Sequence, residues 1–187
     1  RYVSKAIAIL RKSAEEDKLD TSYVDVGHDE DHIVRVCRWA IYLGSAYKSR
    51  LDLLILAAIL HDLVNAPKSD PVRRKSASRL SAEKACALLF DDEADVPEED
   101  RKIVYDAILC HSYSAGVVPS YSESEILQDA DRLDSLGWIG VARCLGISGV
   151  MGRPLLDMGD PAGVHRQWDD YKYALDHFQT KLFRLPT

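Results

Sequence analysis

Apolar residues recur at steps of three and four along most of the chain. Tyr2, Val3, Ala6, Ile7, Leu10 and Ala14, separated by Lys, Arg and Glu, predict an amphipathic helix over residues 2–16. A second helix carries Ile33, Val36, Cys37, Ala40, Ile41 and Leu43, with Asp29 as its N-cap, acids in its first turn, and Gly44 and Ser45 loosening its end. The third, roughly residues 51–64, is apolar through Leu53 to Leu60 and ends on His61-Asp62. Residues 65–80 read as a basic loop, after which Ser81 caps a short helix from Ala82 to Phe90. An acidic linker leads to a helix from Glu98 to Ser112 whose inner face is Ile103, Val104, Ala107, Ile108 and His111. Ser122-Glu123-Ser124-Glu125 has capping-box spacing and starts a helix with Leu127, Asp131 and Asp134 on one face. Gly137 separates it from a helix over Trp138 to Ile147. A loop rich in Gly and Pro then precedes a last helix, about Gln167 to Leu182, with Trp168, Tyr171, Leu175 and Phe178 as its core face. No segment alternates in the manner of a strand, so the pattern predicts an all-α, single-domain bundle spanning residues 1–187.

Composition narrows the function classes. The net charge of −6 opposes general affinity for a nucleic-acid polymer, while leaving room for a small phosphorylated ligand held by a few local bases. The longest apolar run falls far short of the ~20 residues that span a bilayer. Cys37, Cys86, Cys110 and Cys144 are widely spaced on predicted helices and read as free thiols in a cytoplasmic protein, with no signal peptide ahead of the first helix.

The chemistry concentrates where the helices end. An acid on an apolar stripe, as Asp131 is, is costly to bury unless it is paired or metal-bound. His32, His61, Asp62 and Asp131 together offer two imidazoles and two carboxylates from three helices. Such a mixed set suits one divalent transition metal, Mn²⁺, Fe²⁺, Ni²⁺, Co²⁺ or Zn²⁺, with Mg²⁺ as a further candidate, and leaves positions open for water and substrate.

These residues carry a family resemblance. His28-Asp29-x-x-His32-x-x-Arg35-Val36, Ala57-Ala58-x-Leu60-His61-Asp62, Ser81-Ala82-Glu83-x-Ala85, His111-Ser112-x-Ser114 and Gln128-Asp129-Ala130-Asp131-Arg132-Leu133-Asp134 resemble the HD-domain superfamily of metal-dependent phosphohydrolases, in its stand-alone bacterial branch. The resemblance covers about residues 25–150 and implies an HD-type bundle with flanking terminal helices. It places His32, His61, Asp62 and Asp131 at the family's metal-ligand positions. It implies hydrolysis of a phosphoester or phosphoanhydride bond in a small phosphorylated substrate, a nucleotide by preference, as a nucleotidase or nucleotide pyrophosphohydrolase. Some relatives keep a catalytic Glu three residues after His-Asp; here Asn65 stands there. The general base is then Asp62 itself, Glu83, Asp134, or His111 through a water. Arg35 and Lys68 follow proposed ligands closely and are the first choices for phosphate contacts, with His28 and Asn65 as further substrate-side candidates. Arg132 is expected in a structural ion pair, and Asp134 in orienting a ligand.

Three rivals stand beside this reading. His28 and His32 have the i, i+4 spacing of a zinc protease helix, but Asp29 occupies the place of its essential Glu. A non-catalytic, metal-dependent nucleotide sensor would keep the same four ligands. A purely structural bundle would pair its inward acids with arginines.

Overall fold

A computed structural model describes residues 2–17, 30–64, 71–90 and 97–185. Its helices are α1 (Tyr2–Asp17), α2 (Glu30–Tyr47), α3 (Leu51–Leu60), α4 (Pro71–Phe90), α5 (Glu98–Cys110), α6 (Ser122–Asp134), α7 (Gly137–Val150) and α8 (Asp176–Thr180), with 3-10 turns at Tyr113–Ala115 and Leu182–Arg184. Among the described residues there is no strand, so the chain is all-α. No described helix is long and apolar enough to cross a membrane. The described residues up to Leu133 group into one compact unit and those from Asp134 onward into a second.

In the first unit α3 is the central rod. From Leu53 to Leu60 it is apolar on every side, as suits a surrounded helix, and α1, α2, α4 and α5 all pack on it. Leu54, Leu56, Ala57, Ala58 and Leu60 are buried in that packing. α2 can approach so closely because of Gly44, where an added Cβ would lie 2.7 Å from the side chains of Leu51 and Leu54. Gly44 is therefore a contact point inside α2 and not its loosened end. The helix runs on to Tyr47 and closes through Lys48 at φ 56, with the Ser49 amide returning to the Gly44 carbonyl at 3.0 Å. α1 is turned slightly from its expected face: Ala6 is buried, Ile9 and Leu10 pack on the core, and Val3 and Ile7 are exposed.

Two expectations are corrected. Residues 71–80 are helical, not loop, and Ser81 lies inside α4 instead of capping it. Pro71 occupies the first helical position, where its missing N–H costs nothing. The inward face of α4 is Ser78, Ser81, Ala82, Ala85 and Leu89, and its serines read as polar, which hides the helical period from the sequence pattern. At α6 the spacing of a capping box is not used as one: the Ser122 hydroxyl donates to Glu123, and Glu123 accepts the Arg50 amide at 2.9 Å.

The second unit holds α7, irregular chain over 151–175, and α8. The expected long helix from Gln167 is reduced to five residues, Asp176–Thr180. Amides that a helix would have used bond elsewhere: Ala174 and Leu175 donate to the Pro154 and Leu155 carbonyls at 3.0 and 2.9 Å, and Tyr171 donates to the Asp169 carboxylate at 3.1 Å. Local carboxylates also fix the chain around this segment. Asp160 accepts the Val164 and His165 amides, and Asp176 accepts the Asp169 amide and a bidentate Arg166 at 2.5 and 2.9 Å. Gly163, at φ 62, lets the Trp168 ring lie where any Cβ would collide. Tyr171 and Leu175 point to solvent as a result. All four cysteines are free, Cys110 and Cys144 buried and Cys37 and Cys86 half-buried.

Candidate metal centre

Two helices of the first unit end in the same way. α3 stops at Leu60 and α5 at Cys110, and the next residues, His61 and His111, keep helical backbone angles. Each imidazole Nδ1 reaches back to a carbonyl three residues earlier, His61 to Ala58 at 2.9 Å and His111 to Ile108 at 2.6 Å. A helix end leaves such carbonyls without partners, so the ring must donate there. That fixes the proton on Nδ1 and leaves Nε2 bare in the neutral ring. In both residues the bare nitrogen faces Asp62.

The geometry converges on one carboxylate. Asp62 Oδ2 lies 3.3 Å from His61 Nε2 and 3.7 Å from His32 Nε2, while its Oδ1 lies 3.4 Å from His111 Nε2. The Nε2 atoms of His61 and His32 are 3.3 Å apart, and Asp131 Oδ1 is 3.4 Å from His32 Nε2. Ligand atoms about 2.1 Å from a common ion, at right or tetrahedral angles, are separated by about 3.0–3.4 Å. These spacings fit a divalent metal, and so does the chemistry, since bare nitrogens and carboxylate oxygens at such distances need a cation or a proton between them. His32, His61 and Asp62 form a compact ligand group on their own. His32 and His61 are fully sealed from solvent, whereas the side chains of Asp62 and Asp131 stay 15% and 23% exposed. Water and substrate therefore have access on the carboxylate side.

Electrostatics follow from this crowding. Burial alone would lower the pKa of His61, but the Asp62 carboxylate beside it, helped by Asp131, outweighs burial and pushes it up to about 9. Burial likewise disfavours the Asp131 carboxylate, yet His61, His111 and His32 hold it below the usual carboxylate range. The cluster carries a standing demand for positive charge.

The other candidates are dispersed. Arg35 is half-buried on α2, one turn after His32. Glu83 is exposed on α4, near Tyr105 of α5. Asp134, which belongs to the second unit, is buried and accepts Arg143 at 2.5 Å. His28, Asn65 and Lys68, and the Asp29 cap, lie outside the described residues, as do the side chains of Arg73, Arg74 and Lys75. The ion pair expected for Arg132 has no acidic partner among the described residues; its guanidinium sits 5.6 Å over the Tyr113 ring instead.

Two residues gain roles that the sequence pattern did not assign. Gln128 donates to the Cys110 carbonyl at 2.8 Å, and one turn earlier Ser124 donates to Asp106 at 2.6 Å. Together they fix the register of α6 against α5, and with it Asp131 near His111. Gln128 sits inside one of the motif blocks, which was the available signal, whereas Ser124 lies outside them.

A helical unit with a His/Asp cluster at its helix ends defines the class of this protein. The HD domain family matches residues 30–136, more than half of the sequence, and the chain belongs to that family. YpgQ of Bacillus subtilis (strain 168) is 32% identical over 163 residues, 85% of this chain and 70% of YpgQ. A crystal structure of YpgQ in complex with ADP matches 96% of this chain and 80% of that one, with TM-score 0.64 and 28% identity. A Lactobacillus plantarum protein matches with TM-score 0.69 and 29% identity over 97% of this chain and 82% of that one. An HD-superfamily hydrolase of Bacillus thuringiensis matches with TM-score 0.64 and 28% identity over 99% and 82%.

Proposed function

We propose that this chain is a metal-dependent phosphohydrolase that cleaves a phosphoester or phosphoanhydride bond of a nucleotide. The observation that carries the reading is the meeting of His32, His61, Asp62 and Asp131 at 3.3–3.7 Å, sealed on the imidazole side and open on the carboxylate side. Nucleotide as the substrate class is supported by the ADP complex of YpgQ. Those four residues would hold a divalent transition metal, Mn²⁺ being the first to test. Such an ion, when bound, polarises a phosphoryl oxygen and acidifies a bound water. His111, 3.4 Å from Asp62 Oδ1, is the side chain in place to hold or pass a proton at that carboxylate. Arg35 serves the phosphate, with Lys68, His28 and Asn65 proposed on the substrate side. Glu83 and Asp134 remain alternative bases by sequence position, Asp134 being engaged with Arg143. Free thiols agree with a cytoplasmic setting.

The test is a panel of nucleoside mono-, di- and triphosphates with Mn²⁺, scored separately for phosphate and pyrophosphate release. Turnover of at least one, lost on chelation and in Asp62→Ala, is expected. Tight binding of a nucleotide without turnover by the metal-loaded protein would replace the enzyme with a sensor.

A further inference from the structure

Asp62 does the most in the metal centre, since its two oxygens face three imidazoles, yet it stands on a turn beyond the end of α3. What holds that turn comes from other helices. Ser81, inside α4 and 1% exposed, accepts the Val64 amide at 2.9 Å, and its hydroxyl lies 3.3 Å from the Val64 carbonyl, to which it donates. One hydroxyl thus satisfies both backbone groups of a residue two positions after Asp62 and 17 positions before Ser81. Beside it, the buried Ser13 of α1 reaches the Leu63 carbonyl at 3.5 Å and accepts Lys84 of α4 at 3.3 Å. Within the turn, the Leu63 amide bonds back to Leu60 at 3.3 Å.

We infer that Ser81 is a positioning residue for the metal centre, clamping the Leu63–Val64 turn so that the Asp62 carboxylate is fixed against His32, His61 and His111. The inference rests on the metal-site reading above. Its physical basis is that ligand groups must be held to within about 0.5 Å, and an Asp on an unanchored turn is not. It also explains why a serine is buried within α4, where alanine would serve packing equally well. Without the hydroxyl, the Val64 amide and carbonyl lose this partner and the turn relaxes to find others.

Ser81→Ala keeps the helix and removes both bonds. Mn²⁺ affinity, read by competition with a chelator, is expected to weaken about tenfold, the low end of what supporting groups around a metal contribute. Ile103→Val, a trim of the α5 core eight residues and so about 12 Å along the helix before His111, lowers the melting temperature without changing Mn²⁺ affinity, which separates positioning from general loss of stability. Hydrogen exchange at the Val64 amide is the second measurement and needs no metal: slow in the wild type, it becomes faster in Ser81→Ala. If wild type and Asp62→Ala bind Mn²⁺ equally, the metal reading falls and the inference with it. If wild type binds Mn²⁺ and Ser81→Ala binds it equally well, the clamp alone is refuted. Unchanged exchange at Val64 refutes it as well.

Discussion

Mn²⁺ uptake should expel a proton from His61. In the metal-free protein burial disfavours the imidazolium, but Asp62 and Asp131 override it and raise the pKa to about 9. At about pH 7.5 such a group is mostly protonated. Its Nδ1 hydrogen is committed to the Ala58 carbonyl, so the extra proton resides on Nε2, the atom an ion would need. Asp131, held below the usual carboxylate range, brings no proton of its own. The expected stoichiometry is therefore close to one proton released per ion bound. Calorimetric titration of chelator-treated protein with Mn²⁺, repeated in buffers of different ionisation enthalpy, gives this number as the slope of apparent enthalpy against buffer enthalpy. The same protonation makes affinity rise by about tenfold per pH unit between pH 6.5 and 8. A slope of zero, with affinity independent of pH, would refute the electrostatic reading of the cluster.

Asp131→Ala should lose measurable Mn²⁺ binding while its far-ultraviolet dichroism stays helical, because Asp131 is partly exposed and its loss empties no core; retained binding would remove it from the ligand set. The metal-free protein should lose stability with rising pH. A His whose folded pKa is raised stabilises fully below its unfolded value of about 6.5 and loses that contribution as pH climbs through about 9. The change is on the order of 3 kcal/mol, visible as a melting temperature that falls across that window in chelator and not with Mn²⁺ present. Leu127→Ala, at a fully buried position one turn before Asp131, should cost about 3 kcal/mol and lower the melting temperature by roughly 10 °C, read by thermal denaturation.

Much of the fold was legible because the helices of the first unit bury ordinary apolar stripes. The inner faces of α2 and α5 follow steps of three and four, and α3 shows as an unbroken apolar run from Leu53 to Leu60. α4 hid its first half because the buried positions described there are Ser78 and Ser81, and a period of hydrophobicity cannot register small polar residues used for close approach. The final segment misled in the opposite sense. Its aromatic and aliphatic spacing suits a helix, but the Ala174 and Leu175 amides bond to the Pro154 and Leu155 carbonyls and Tyr171 to Asp169, and pairings with residues some twenty positions away carry no periodic signature.

The candidate site divides along the same line. By itself the sequence picked out the imidazoles and carboxylates that the fold brings together, since such residues in a fixed order of motifs are a one-dimensional signal. It also determined the all-α class. Only the tertiary structure decided how those side chains act. Nε2 of His61 and His111 is the free nitrogen because Nδ1 meets a carbonyl at a helix end, and Asp62 divides its two oxygens among three rings. Ser81, read from sequence as a helix cap, became a clamp on the turn that carries Asp62, because the partner of a hydroxyl is set by what another helix brings within 3 Å of it.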